Sequence, residues 1–192
     1  MKKIPLLLVC LLLCVSAAQA SLLLYSGNLS NAGEGSGSPG TGFALVGIDD
    51  VANSMRVQVT FSGLLGTTTA SHIHCCTPTP GTGTVGVATQ VPTFAGFPLG
   101  VTSGTYDQTF DLTLTSSWNP SFTSSHGGTP QGAEAALIAA LGVDEAYLNI
   151  HTNLFPGGEI RAFLTAVPEP GSITLFATGW AGAAVLRRRL RK

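Results

Sequence analysis

Two stretches of the chain alternate apolar and polar side chains residue by residue. In Met55–Phe61, Met55, Val57, Val59 and Phe61 share one face and Arg56, Gln58 and Thr60 the other. Tyr106–Leu114 repeats the pattern, with Tyr106, Phe110, Leu112 and Leu114 opposite Asp107, Thr109, Asp111 and Thr113. A period of two marks a half-buried antiparallel strand. Leu22–Leu29 and Gly42–Ile48 read as two further strands around the Gly/Ser/Asn-rich loop Ser30–Thr41, and Asp49–Ser54 turns the chain. Ala146–Thr152 (AYLNIHT), the loop Asn153–Gly158 and Glu159–Thr165 (EIRAFLT) form a hairpin. One short helix interrupts the strands: Thr129 caps it, Pro130 opens it, and Gly132–Leu141 (GAEAALIAAL) carries it to Gly142. Short strands between Gly/Pro turns predict a mainly all-β protein, an antiparallel β-sandwich.

The two ends follow other patterns. Lys2 and Lys3, the apolar run Leu6–Val15 and Ala18-Gln19-Ala20 have the order of a secretory signal peptide, predicting cleavage by signal peptidase after Ala20. At the other end VPEPG (Val167–Gly171) leads into the apolar, small-residue-rich segment 171–186 and a cluster of basic residues, Arg187–Lys192. This segment is short for a crossing of about 30 Å, and its basic flank would stay cytoplasmic. We expect a C-terminal transmembrane helix over 171–186. The three-part tail resembles the PEP-CTERM sorting signal of Gram-negative bacteria, with Pro168, Glu169 and Pro170 at the motif. That resemblance implies recognition by an exosortase. It also implies an inner-membrane-anchored precursor, removal of the tail, and delivery to the cell surface or extracellular matrix.

Trimming both ends changes the charge. The whole chain has a formal net charge of −1. Residues 21–166 keep only Arg56 and Arg161 as cations, against Glu34, Asp49, Asp50, Asp107, Asp111, Glu134, Asp144, Glu145 and Glu159. A domain so poor in cations neutralises few phosphates, which argues against nucleic acid as a partner. The chain contains no GxSxG, HExxH or P-loop motif. The acidic pairs Asp49-Asp50 and Asp144-Glu145 read as solvated turns.

Candidate chemistry gathers in SHIHCC, Ser71–Cys76. On a strand His72 and His74 share a face opposite Ile73, the natural core residue. In AYLNIHT, Leu148 and Ile150 point inward and Tyr147, Asn149 and His151 point away. If the two strands are neighbours, His72, His74 and His151 lie together on the outer face of one sheet, a ligand set for copper or zinc. The competing expectation is scaffolding, with the imidazoles hydrogen-bonded to the backbone or to Ser/Thr, and with Glu159 and Arg161 pairing with them or across the sheet. Cys75 and Cys76 are the only cysteines beyond the signal sequence. Three fates are open to them: a vicinal disulfide, intermolecular bridges, or metal ligation beside the histidines.

SHIH after Leu64-Leu65, YLNIHT and FPGGEIR (Phe155–Arg161) together resemble a CHRD domain, the module named after chordin, over roughly residues 21–165. The resemblance implies an immunoglobulin-like or related β-sandwich of secreted and surface proteins, usually without an assigned reaction. Cys75-Cys76 departs from the usual turn after the HIH strand. The HxH strand is also similar to that of copper/zinc superoxide dismutases. That likeness implies a superoxide-dismutase-like sandwich with a metal on the sheet's outer face and makes His126 a candidate fourth ligand; the His/Asp-dense zinc loop of those enzymes has no counterpart. The reading is therefore a non-enzymatic structural or binding module that requires no cofactor, with extracellular polysaccharide or matrix protein as candidate partners. The rival is a copper- or zinc-binding redox protein.

Overall fold

The computed structural model describes residues 22–168 of the 192-residue chain. Two antiparallel sheets enclose one apolar core. The larger is built from β1 (Leu22–Leu29), β2 (Thr41–Asp49), β3 (Ser54–Ser62), β5 (Gly104–Asp111) and β8 (Thr165–Ala166), in the order β5-β3-β2-β1-β8. The smaller has β6 (Ala146–Thr152) at its centre, between β4 (Thr68–Cys75) and β7 (Ile160–Phe163). Registers such as Tyr25↔Val46↔Val57 and Ile73↔Leu148↔Ala162 put the apolar member of each alternation on the inner faces. Side chains there, among them Val46, Val57, Ile73, Leu148 and Ile150, are fully buried. At one edge Ser30 and Arg161 exchange main-chain hydrogen bonds of 3.1 and 2.9 Å, tying the end of β1 to β7 and so one sheet to the other.

Thr129 accepts a hydrogen bond from the Gly132 N–H and Pro130 opens a helix that runs to Leu141, capped by Gly142. It packs Ala133, Leu137, Ala140 and Leu141 into the core. A second helix was not expected: α1 (Pro120–Ser125) precedes this α2 (Pro130–Leu141). Its start repeats the same device, Asn119 accepting from the Ser121 N–H ahead of Pro120. Its residues, PSFTSS, are weak helix formers, so the cap and the burial of Phe122 carry it.

Two expectations change at strand ends. The strand predicted to reach Leu114 stops at Asp111, whose carboxylate accepts the Thr113 N–H at 2.9 Å and its hydroxyl at 2.6 Å, and so turns the chain. Leu112 still enters the core, but Leu114 is exposed. The strand predicted over Glu159–Thr165 is split into β7 and the short β8. Among the described residues no helix is long and apolar enough to cross a membrane. The expected cleavage after Ala20, the spanning segment 171–186 and the motif residues Glu169 and Pro170 lie outside the described residues; Pro168 is the last within them.

Candidate metal centre

The expected outer face of the smaller sheet is not an outer face. After β4 the chain doubles back along that strand's free edge: Cys75 N–H donates to Gly86 O (3.2 Å), Ala88 N–H to Ile73 O (2.9 Å) and Phe94 N–H to Ser71 O (3.1 Å). The returning segment then arches over the sheet. All seven residues of β6 are buried, on both faces, the hairpin loop at Pro156 and Gly157 covering His151 and Asn149. His72, His74 and His151 are only 6%, 7% and 9% exposed.

β4 and β6 are neighbours, with His72 opposite Asn149, His74 opposite Tyr147, and Ala70 opposite His151. The three rings sit with centroids 5.2–5.9 Å apart. Each is held by one main-chain carbonyl: His72 Nε2 by Pro92 O at 2.6 Å, His74 Nδ1 by Val85 O at 2.8 Å and His151 Nδ1 by Pro156 O at 2.9 Å. A carbonyl only accepts, so each of these nitrogens carries the proton. The other nitrogen of each neutral ring is then a bare lone pair. His74 Nε2 and His151 Nε2 lie 3.4 Å apart, lone pair facing lone pair. His72 Nδ1 is buried with no hydrogen-bond partner among the described residues. One nitrogen of each ring falls within 4.8 Å of those of the other two.

Burial also keeps the rings neutral. Desolvation lowers the His74 pKa to about 4, against the raising effect of Val85 O, with His151, His72 and Arg161 lowering it further. His72 and His151 are lowered for the same leading reason. Protonation therefore does not relieve the lone-pair contacts near neutral pH.

Glu159 and Arg161 do not pair with the histidines. Glu159, wholly buried, gathers four donors instead: Ser38 Oγ (2.6 Å) and Leu65 N–H (2.5 Å) on Oε1, Gly66 N–H (3.0 Å) and Thr152 Oγ1 (2.7 Å) on Oε2. Burial by itself would raise its pKa, but these four hydrogen bonds outweigh it and hold the carboxyl below its ordinary range. Arg161 lies 4.7 Å over the Tyr147 ring, its Nε 3.3 Å from Glu34 Oε1, and donates to Gly83 O at 3.0 Å. Burial pushes the Glu34 carboxyl up, more than Arg161 draws it down. Tyr147 in turn stacks on His74 at 4.8 Å, with planes 5° apart, and its hydroxyl accepts the Val85 N–H. Val85 thus fixes both members of that stack. Nothing in the spacing of the sequence marked Val85, Pro92 or Pro156, because they act through main-chain carbonyls that any residue supplies.

His126 stays apart from the centre. It ends α1, its Nδ1 bonded to Phe122 O at 2.8 Å and its ring 4.1 Å from that of Phe122. Cys75 and Cys76 form a disulfide with each other, across a cis peptide with Cα atoms 3.1 Å apart. Cys75 belongs to the core cluster, and Cys76 packs against it. Neither sulfur is a thiolate available to a metal.

The glycines of the hairpin loop fit the same design. Gly158 has φ +136°, and a Cβ there would run into the Asn149 amide. That approach lets Asn149 donate to Gly157 O and Glu34. No curated protein and no solved structure shows a significant match to the chain. The model of the CHRD domain family matches residues 25–164, a span holding both sheets' core strands, the three histidines and the Glu159 network. That span is well over half of the chain, and the protein belongs to the CHRD domain family.

Proposed function

We propose that this protein is an exported, non-enzymatic surface or matrix protein whose CHRD module holds one copper or zinc ion between His72, His74 and His151. The observation that carries the proposal is the convergence of three buried imidazoles, each offering one nitrogen within 4.8 Å of those of the other two, with the bare His74 and His151 nitrogens 3.4 Å apart and no partner for His72 Nδ1 among the described residues. Two imidazole nitrogens bound at 2.0–2.1 Å to a tetrahedral ion stand about 3.3 Å apart. The His74–His151 pair already has that spacing, at 3.4 Å. The carbonyls on the remote nitrogens set tautomer and ring orientation, the usual arrangement around a ligating histidine. Scaffolding explains one nitrogen of each ring and leaves the other without a role.

CHRD domains suggest an extracellular or secreted setting, and the signal-like start and PEP-CTERM-like end of the sequence point the same way. On this reading signal peptidase and an exosortase process the chain, with a transient membrane anchor over 171–186, and the folded module reaches the surface of a Gram-negative cell. The test is elemental analysis of the full chain, exported, untagged with histidines and purified without chelators. About one copper or zinc per chain, lost in His74→Asn/His151→Asn, is the expected result. A folded protein that takes up neither ion when offered in excess overturns the metal reading.

A further inference from the structure

Resting on that reading, we infer that the centre is built for a monovalent copper ion, Cu(I), in three-coordinate all-imidazole ligation, rather than for Zn(II) or Cu(II). Charge and ligand number both favour the monovalent ion. Among the described residues the cluster that converges holds three histidines and no carboxylate or thiolate. The groups behind the ligands are neutral as well: Pro92, Val85 and Pro156 offer carbonyls, where a carboxylate would have offset part of a dication's charge. Among the described residues the cation behind the ligands is Arg161, which lies over Tyr147, itself stacked on His74, and is paired with Glu34.

An ion in this place keeps its full charge in a poorly solvated interior. The desolvation cost rises with the square of the charge, so a divalent ion meets about four times the penalty of a monovalent one. Ligand number points the same way. Structural zinc takes four ligands and catalytic zinc completes its set with water or substrate. Here the candidate fourth residue, His126, is engaged with Phe122, Cys75 and Cys76 are joined to each other, and all three histidines are less than a tenth exposed. A d¹⁰ monovalent ion accepts three nitrogens in a plane without a fourth. The His72 ring completes such a set: it offers a nitrogen within 4.8 Å of those of His74 and His151, and its Nδ1 has no hydrogen-bond partner among the described residues.

The test is competition on the full, metal-depleted chain. Cu(I) is offered anaerobically against a chromophoric Cu(I) chelator, and Zn(II) and Cu(II) are offered separately against chelators of known affinity. We expect one Cu(I) per chain, bound more tightly than either divalent ion. Equal or tighter binding of Zn(II) or Cu(II) by the same histidines overturns it while leaving the proposed metal function standing. Failure of all three ions to bind overturns both. His74→Asn should abolish Cu(I) uptake with an unchanged far-UV spectrum. Should that variant not fold, X-ray absorption of the Cu(I)-loaded native chain decides the matter: three nitrogen neighbours support the inference, and a fourth light atom or any sulfur overturns it.

Discussion

Replacing Glu159 by Gln keeps the shape of the side chain and removes only its charge and half of its accepting capacity. In the native protein each carboxylate oxygen takes one main-chain N–H and one hydroxyl: Leu65 and Ser38 on one side, Gly66 and Thr152 on the other. An amide in either orientation turns its NH₂ toward one of these pairs. The hydroxyl there can rotate and accept instead, but the main-chain N–H cannot, and it is left buried and unpaired. A hydrogen bond to a charged group contributes about 1.5–3 kcal/mol, and an orphaned buried donor costs about 1–3 kcal/mol. The remaining bonds also weaken on becoming neutral. We expect Glu159→Gln to lower the unfolding free energy by about 3–5 kcal/mol, a large part of the 5–15 kcal/mol usual for a domain. Urea unfolding at pH 7, followed by far-UV circular dichroism, measures the difference. The pH dependence supplies a second check. The folded pKa of Glu159 is depressed, so its contribution is present above the ordinary carboxyl value of 4.5 and is lost as pH falls toward the folded value. The gap between wild type and variant should therefore narrow in acid. A loss below about 1 kcal/mol at pH 7, the scale of an exposed pair, would refute the claim that this carboxylate fastens three segments together.

Three further outcomes follow from the same geometry. Gly158→Ala, at φ +136° and against Asn149, should cost at least about 2 kcal/mol in the same urea assay; a neutral result would show that the hairpin loop relaxes freely. The metal-free protein should lose stability as pH falls from the unfolded histidine value of 6.5 toward the folded His74 value of about 4, because the unfolded chain takes up the proton first. For His74 this amounts to about 3 kcal/mol, and unfolding curves that do not move between pH 7 and 5 would contradict buried neutral rings. His126→Ala should leave the metal content at the wild-type ratio, and its loss would return His126 to the ligand set.

Much of the fold was legible because it rests on local rules. β1 and β6 begin and end where the sequence pattern places them, and Thr129-Pro130 marks α2. Proximity of the three histidines was also readable, since it required only that SHIH and YLNIHT pair as neighbours. Their burial was not. Alternation shows which residues share a face, but not whether a later segment covers that face, and here Val85–Pro92 does so, meeting His72 and His74 through main-chain carbonyls that any residue supplies. The Glu159 network was hidden for a related reason: two of its four donors are main-chain N–H groups. Reading Glu159 as a partner of the histidines or of a group across the sheet left these four donors unseen.

Each ring is expected to meet the ion through the nitrogen that no carbonyl holds. Imidazole ¹⁵N spectra of the full chain, recorded metal-free and then with one equivalent of Cu(I) or Zn(II), observe those nitrogens one by one. The account predicts that His72 Nδ1, His74 Nε2 and His151 Nε2 shift on loading while their carbonyl-bonded partners keep their protons and His126 is unmoved. Rings that hold their metal-free positions under saturating ion, or shifts confined to His126, would contradict it.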